Sequence, residues 1–409
     1  MVVSGARDRH IRMKDNWCFV VAGTVLLLIV PSAAALDSVN EASAHFQQAR
    51  ELMSLGKLDE AEREYELGLK IAPDSPGAHN NLGVIYFRRG DLNKALPSFE
   101  RAHQLRPEDP EIAFNYGLAL YQSDRCTEAI PRLHQALAAQ PHVADARYLL
   151  GVCFCSSHEW PIAIENLEIA RKLSTGRPEI LFMLTQAYRN AKEPKESLEK
   201  AAELLQGYPD SPFAHLLMGE ALDTESLPQQ AEEEFKQAIA KSPNAPQLHF
   251  ALGYLYWRWK DYEKAVGPLE EELRIDPQCF SCCLYLGYIA LKKRQADQGL
   301  NNFKDALRLR PNYSEAYLGL GRAYVMLGQP VEAISFFRQS LKLQPDQVEA
   351  HYWLGKTLIQ VGEVGEGQRE LDRFQQSKAA ELQHAADLFD RTAKDKPQPI
   401  IPAPNSDNK

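Results

Sequence analysis

The residues best suited to redox chemistry or metal binding are cysteines. The chain contains seven, and Cys279, Cys282 and Cys283 lie together as a Cys-x-x-Cys pair followed by a third thiol. In an oxidising compartment Cys279 could form a disulfide with Cys282 or with Cys283, and the same spacing occurs in redox motifs and metal half-sites. The remaining alternative is that all three are small apolar core residues. Zinc needs four ligands, and no second pair lies nearby.

Histidines recur at one spacing along the chain. Five of them stand at separations that are multiples of 34 residues: His45, His79, His215, His249 and His351. If they occupy equivalent positions of a repeated helical unit, neighbouring helices alone are about 8–10 Å apart. A metal ion needs its donor atoms about 2 Å away, so these histidines cannot share one. We expect them to pack between helices, and we predict no metal and no cofactor.

Prolines and glycines show the repeat that positions these residues. Prolines recur in steps of 34 residues, with Thr175 in one position of the series, at 73, 107, 141, 209, 243, 277, 311 and 345. Glycines follow the same period, with Thr185 in one position, at 83, 117, 151, 219, 253, 287, 321 and 355. A third position is small throughout (Ala61 to Ala333), and the residue four places later is large and apolar in eight units. A period of this length is typical of stacked supersecondary units.

Each unit predicts two helices. Leu82, Gly83 and Tyr86 form one apolar stripe, and a second stripe contains Ala95 and Phe99. Gly90 and Asp91 should end the first helix and cap the second. A proline then ends the second helix, because it cannot continue it. The unit is a helical hairpin whose apolar face must be buried by its neighbours.

This pattern resembles the tetratricopeptide repeat (TPR) family in its period and its small-residue positions. The resemblance implies an all-α fold, an α-solenoid in which tandem hairpins form a right-handed superhelix. It gives ten repeats over 42–381, five of which have a histidine at the position where the family often has tryptophan. The first and tenth repeats depart from the pattern, as expected for the ends of a stack. Thr175, Thr185 and Ser197 also interrupt it, which indicates either a softer joint between half-arrays or sequence drift.

The two ends of the chain are predicted to lie outside the stack. An uncharged apolar run over 18–30 is shorter than the roughly 20 residues that a spanning helix needs. Basic residues precede it and three alanines follow, so we expect a signal peptide over 1–35 cleaved after Ala35. An uncleaved membrane anchor is the alternative, and Met13 is an alternative start. Residues 375–392 predict a helix that caps the last hairpin, and 394–409 predict a disordered tail.

The charge balance restricts the partners. The chain carries 46 basic and 55 acidic residues, for a net charge of −9. Nucleic acids and anionic lipid surfaces attract basic surfaces, so neither is an expected partner. After cleavage of the signal peptide no membrane insertion is expected. The ligand that remains is protein or peptide.

The resemblance also gives candidate binding residues, since TPR first helices line a groove. Carried onto this chain, the groove positions contain many aromatic residues, and two consecutive repeats have an asparagine of the kind that holds a peptide backbone in superhelical TPR arrays. The candidates are Arg50, Asn81, Phe87, Phe114, Asn115, Tyr121, Tyr148, Phe182, Arg189, Tyr254, Trp257 and Tyr288. The asparagines do not continue beyond the second of these repeats.

These observations predict a scaffold that binds partner polypeptides in an exported compartment, periplasmic or secreted. No nucleophile elbow, phosphate loop, metalloprotease helix or dinucleotide fingerprint occurs, and no segment outside the repeats is long enough for a catalytic domain. We therefore predict that the chain is not an enzyme. Two alternatives stay open: an assembly or export factor for envelope polymers or outer-membrane proteins, and a subunit that recruits substrate for an enzyme on another chain.

Overall fold

The computed structural model describes residues 33–394, and every regular element in that range is an α-helix. The predicted all-α fold class, a solenoid of helical hairpins, is therefore confirmed. Nearly all of the predicted signal peptide and the predicted tail from residue 395 onward lie outside the described residues. Within 33–394, no helix combines the length and the apolar character that crossing a membrane requires.

The chain divides into two compact units between Asp124 and Arg125. The boundary does not coincide with Thr175, where the sequence suggested a softer joint. Unit 1, described from residue 33 to residue 124, contains five helices that pack in chain order. They are α1 (Ala33–Ser54), α2 (Leu58–Ile71), α3 (Pro76–Arg88), α4 (Leu92–Leu105) and α5 (Pro110–Gln122).

Unit 2, described from residue 125 to residue 394, contains fifteen helices. Each packs against the next in the chain, and the odd-numbered helices from α7 to α19 also pack against one another. They are α6 (Cys126–Ala139), α7 (Ala144–Ser156), α8 (Trp160–Leu173), α9 (Pro178–Asn190), α10 (Pro194–Gly207), α11 (Pro212–Thr224), α12 (Pro228–Lys241), α13 (Leu248–Arg258), α14 (Tyr262–Ile275), α15 (Phe280–Lys292), α16 (Ala296–Leu309), α17 (Ser314–Met326), α18 (Pro330–Leu343), α19 (Val348–Gln360) and α20 (Val364–Lys394).

Small and large residues explain how the two helices of a hairpin approach. Gly287 of α15 faces the ring of Phe303 on α16, and a Cβ built on the glycine would lie 2.7 Å from the ring carbons. Gly321 faces Phe337 in the same way in the following hairpin. Both rings are fully buried. The glycines are therefore required for the close approach that the 34-residue pattern predicted.

The repeated histidines brace the turns between hairpins. His351 contacts the Pro345 carbonyl oxygen at 2.8 Å through Nε2 and the Glu370 carboxylate at 2.6 Å through Nδ1. His215 makes the same two kinds of contact, to Pro209 and Glu234. His215 and His351 thus pack between helices, as predicted, whereas His79 and His249 make, of these two kinds of contact, only the one to the proline carbonyl oxygen. In the described part of the chain, no group of three or more potential ligand side chains is arranged to hold a metal.

The C-terminal end differs from the sequence prediction. Residues 375–392 do not form a separate helix that caps the last hairpin, because α20 runs without a break from Val364 to Lys394. Ala379 stands where other units have the proline that ends the second helix. With no residue that breaks the helix at this position, the second helix of the last hairpin simply continues.

Candidate functional site in unit 2

A cleft of about 580 Å³ opens between the odd-numbered helices of unit 2. Its walls come from α9, α11, α12, α13, the end of α14 and the start of α15, with Arg310 from the end of α16. Apolar side chains of Leu216, Phe235, Phe250, Tyr254 and Phe280 line it together with charged groups. Concave pockets that combine an apolar lining with a few placed polar groups are typical ligand sites. We refer to this site as the unit 2 cleft.

Ion pairs form one wall of the unit 2 cleft. Arg189 of α9 pairs with Glu220 of α11. The Asp223 carboxylate, one turn further along α11, accepts from Arg258 at 2.5 Å and from the Trp259 indole at 2.9 Å. Burial raises the pKa of Glu220, and the neighbouring Asp223 adds to this effect while Arg189 opposes it. These ion pairs connect α9, α11 and α13, and the charged groups of this wall are therefore already paired within the chain.

A buried carboxylate shapes the floor. Glu272 of α14 is 2 % exposed and accepts two backbone hydrogen bonds at the start of α13, from Gln247 N–H at 2.6 Å and Phe250 N–H at 3.0 Å. Gln247 has a left-handed backbone with φ 76°, and α13 begins at Leu248, two residues later than the repeat predicts. Glu272 therefore accepts hydrogen bonds from backbone N–H groups at the start of α13. At other helices, the side chain of the N-cap residue accepts such hydrogen bonds.

Aromatic rings extend from the cleft along α13 and α15. Phe250 stacks on Tyr254, with ring centroids 5.9 Å apart, and Tyr254 stacks on Trp257 at 5.7 Å. Tyr285 of α15 contacts Tyr254 at 5.2 Å and Trp257 at 4.6 Å. Burial raises the pKa of Tyr285 to about 12. These half-buried rings form an aromatic row of the kind that anchors partners at interfaces.

A disulfide forms the edge of the cleft. The structure joins Cys279 to Cys282, which resolves the two pairings that the sequence left open. Cys279 is the N-cap residue of α15, and its Sγ accepts from the Cys282 backbone N–H at 3.3 Å. Cys279 is half-buried and lines the cleft, whereas Cys282 is fully buried. Cys283 remains a free thiol.

Three of the binding residues predicted in unit 2 come together at this site. Arg189 and Tyr254 line the cleft, and Trp257 packs against Tyr254. Tyr148 and Phe182 pack instead in other clusters of the unit. Tyr288 donates its hydroxyl to the Glu315 backbone oxygen at 3.1 Å.

In unit 1 the predicted asparagines are engaged within the protein. The Asn81 amide donates to the Tyr65 hydroxyl at 2.8 Å, and the Asn115 amide donates to Asn80 Oδ1 at 3.1 Å. Burial raises the pKa of Tyr65, while the Asn81 hydrogen bond and the charge of Arg50 act in the opposite direction. Both amide groups thus have a structural role that the sequence did not indicate.

The aromatic candidates of unit 1 lie on its odd-numbered helices. Phe87 is on α3, and Phe114 and Tyr121 are on α5. All three are half-buried, and Arg50 on α1 is exposed.

Sequence reasoning missed several charged residues of the cleft. Glu220, Asp223 and Arg258 occupy repeat positions that it treated as groove positions, but it selected mainly aromatic residues there. The repeat register alone was enough to find them. Glu272 is different, because it lies on a second helix and its role follows from the shortened start of α13.

Three free thiols of unit 2, of which Cys153 and Cys283 are buried and Cys155 is half-buried, give a direct test of packing. Burial raises the pKa of Cys155 to about 11 and also raises the pKa of Cys153 and Cys283. Since only the thiolate reacts with iodoacetamide, native Cys155 should be alkylated about a hundredfold more slowly at pH 8 than in urea. The rate should rise with pH toward 11. Mass spectrometry of alkylated peptides measures this, and equal rates in native and unfolded chain would contradict it.

Comparison with protein-family models now identifies the architecture. One tetratricopeptide repeat model matches residues 46–110, 114–155, 216–278 and 284–348, and a second tetratricopeptide repeat model matches 326–388. The chain belongs to the tetratricopeptide repeat family. Thr175, Thr185 and Ser197, which interrupt the TPR pattern, all lie between the second and third of these ranges. No curated protein matches the chain.

Comparison with solved structures gives matches at low identity. The crystal structure of the APC/C hetero-tetramer Cut9-Hcn1 is 15 % identical with a TM-score of 0.50, covering 86 % of this chain and 76 % of that one. Yeast Tom70 is 14 % identical with a TM-score of 0.44, covering 84 % and 96 %. PilW, a type IV pilus biogenesis factor, is 22 % identical with a TM-score of 0.44, covering 52 % and 98 %. At these identities the likeness concerns the fold alone.

Proposed function

We propose that this TPR protein is a scaffold that binds an extended segment of a partner polypeptide in the unit 2 cleft. The observation that carries the proposal is the cleft itself: an apolar lining, with Phe250 and Tyr254, beside ion pairs that span neighbouring helices. TPR domains generally act as protein-interaction scaffolds, and stacked repeats present extended binding surfaces of this kind. Its location in an exported compartment is part of the proposal and rests on the predicted signal peptide.

The surroundings of the cleft favour a partner segment with an apolar or aromatic side chain. Glu220, Asp223 and Glu272 already have partners within the chain, so they would not need a cationic ligand. Arg310 lies over the Phe280 ring at 4.6 Å, and no carboxylate pairs with it in the described residues. Its guanidinium is therefore placed to donate to a backbone carbonyl or a carboxylate of the bound segment.

Selection from a displayed library of random peptides tests the proposal with the full chain. We expect enrichment of peptides with an apolar or aromatic anchor. Replacing Tyr254 with alanine should weaken the selected peptides by about 2 kcal/mol, roughly thirtyfold, because a central aromatic contact is lost.

The matched control is Val331→Ala, since Val331 is an apolar residue of the same unit that is 68 % exposed on α18. This variant should bind the selected peptides as the wild type does. If no peptide is enriched, or if Tyr254→Ala binds equally well, the unit 2 cleft is not the binding site.

A further inference from the structure

The Cys279–Cys282 disulfide has two sulfurs in unequal environments. Cys279 is half-buried and lines the unit 2 cleft, whereas Cys282 is 0 % exposed within α15. A nucleophile that enters the cleft therefore reaches Cys279 and not Cys282. Attack at Cys279 makes Cys282 the leaving group, so the burial pattern sets a direction for thiol–disulfide exchange.

We propose that this disulfide exchanges with a pair of thiols on a polypeptide held in the unit 2 cleft, and that it oxidises that partner to a disulfide. The inference rests on the proposed binding function for delivery of the partner, and it adds a chemical step to it. The substrate class is a polypeptide with two neighbouring cysteines in reduced form.

The step is balanced without a further reagent. A partner thiolate forms a bond to Cys279 Sγ while the Cys279–Cys282 bond breaks, and Cys282 leaves as a thiolate that takes up a proton. The second partner thiol then attacks the partner sulfur of the mixed disulfide and releases Cys279. Two electrons and two protons pass from the partner dithiol to the chain.

The position of Cys279 favours the reduced product. Two other odd-numbered helices, α3 and α11, have a serine N-cap, and the hydroxyls of Ser75 and Ser211 accept from the backbone amide three residues later. At α15 the Cys279 sulfur takes this place and accepts from Cys282 N–H. A thiolate at a helix N-terminus is stabilised by these amides and by the helix dipole. Stabilising the reduced form makes a disulfide a stronger oxidant.

The third thiol does not compete. Cys283 is 6 % exposed, and burial raises its pKa, so it stays a neutral thiol when the neighbouring pair is reduced.

The aromatic side chains of Phe250, Tyr254 and Phe280 line the same cleft as Cys279. A peptide anchored there would therefore have its own thiols near Cys279.

The test mixes the oxidised full chain with a reduced, fluorescein-labelled peptide that contains Cys-x-x-Cys flanked by leucine and phenylalanine. The reaction is run in the absence of oxygen. Mass spectrometry should show two peptide thiols lost for each chain that gains thiols at Cys279 and Cys282, while circular dichroism stays native. Tyr254→Ala should slow exchange with the peptide by about tenfold, whereas the control Val331→Ala should exchange as fast as the wild type.

Two variants identify the attacked sulfur. With a peptide that has a single cysteine, activated as a mixed disulfide with thionitrobenzoate, Cys282→Ser should form a stable mixed disulfide at Cys279, because neither Cys282 nor a second peptide cysteine is present to resolve it. Cys279→Ser should form none, since Cys282 is buried. An adduct at Cys282 instead would overturn the assignment.

The remaining outcomes separate this inference from the binding proposal. Reduction that occurs only when the chain unfolds would make the disulfide a structural cross-link and sink the inference. Peptide binding by fluorescence anisotropy without thiol exchange would also sink it, and would leave the binding function intact. Exchange that is equally fast in Tyr254→Ala would support the redox step and contradict the cleft as the binding site.

Discussion

Replacing Phe303 with alanine should lower the free energy of unfolding by about 3–5 kcal/mol, the range for removing a fully buried aromatic ring. The ring is 0 % exposed and lies between two glycines, Gly287 of its own hairpin and Gly319 of α17. It also meets Tyr288 edge-on at 5.1 Å. Neither glycine can extend into the space that the substitution leaves, so a cavity remains.

Each repeat of a stack contacts only its neighbours. The loss of stability should therefore be largest in the helices around Phe303, in addition to the lower free energy of unfolding of the whole chain. Hydrogen exchange should speed up first in α15, α16 and α17. Phe336→Ala is the matched control: that ring is only half-buried and stacks on Tyr324 at 5.0 Å. Phe336→Ala should lower the free energy of unfolding by about 1 kcal/mol. Urea unfolding of both variants measures the difference, and equal losses would contradict the packing argument.

The sequence predicted the hairpins because a strict period leaves few choices. Gly287 and Phe303 recur in the same register as Gly321 and Phe337, and the structure packs each glycine against its ring. The turn at Gly90 and Asp91 is also as expected. The glycine has φ 77°, and the Asp91 carboxylate accepts a hydrogen bond from the Lys94 backbone N–H. Features that every repeat must have can be predicted from spacing alone.

The candidate site was harder to predict because it depends on departures from the repeat. The cleft forms where α13 starts late and Glu272 takes over the capping of its amides. Nothing in the spacing shows that a glutamate on a second helix will turn inward. The partner of Cys279 was equally undetermined, since Cys282 and Cys283 both lie in the first turn of α15 and only the folded geometry selects Cys282.

Replacing Glu272 with alanine should destabilise unit 2 by about 2–4 kcal/mol and distort the cleft. The substitution leaves the amides of Gln247 and Phe250 without their acceptor, and a buried donor without a partner costs about 1–3 kcal/mol. Since Phe250 and Tyr254 lie on α13, loosening its first turn should also weaken the peptides selected against the wild type. Urea unfolding and peptide affinity measure the two effects.

Glu272→Gln and Glu270→Ala separate the possible causes. The glutamine keeps one acceptor oxygen and the side-chain length, so it should recover about half of the lost stability. Glu270 is an exposed glutamate on the same helix, and its removal should cost less than about 0.5 kcal/mol. If Glu272→Ala were as mild as Glu270→Ala, the two amides would find other partners, and the floor of the cleft would not depend on this carboxylate. If stability fell but peptide affinity did not, the peptide would bind away from α13.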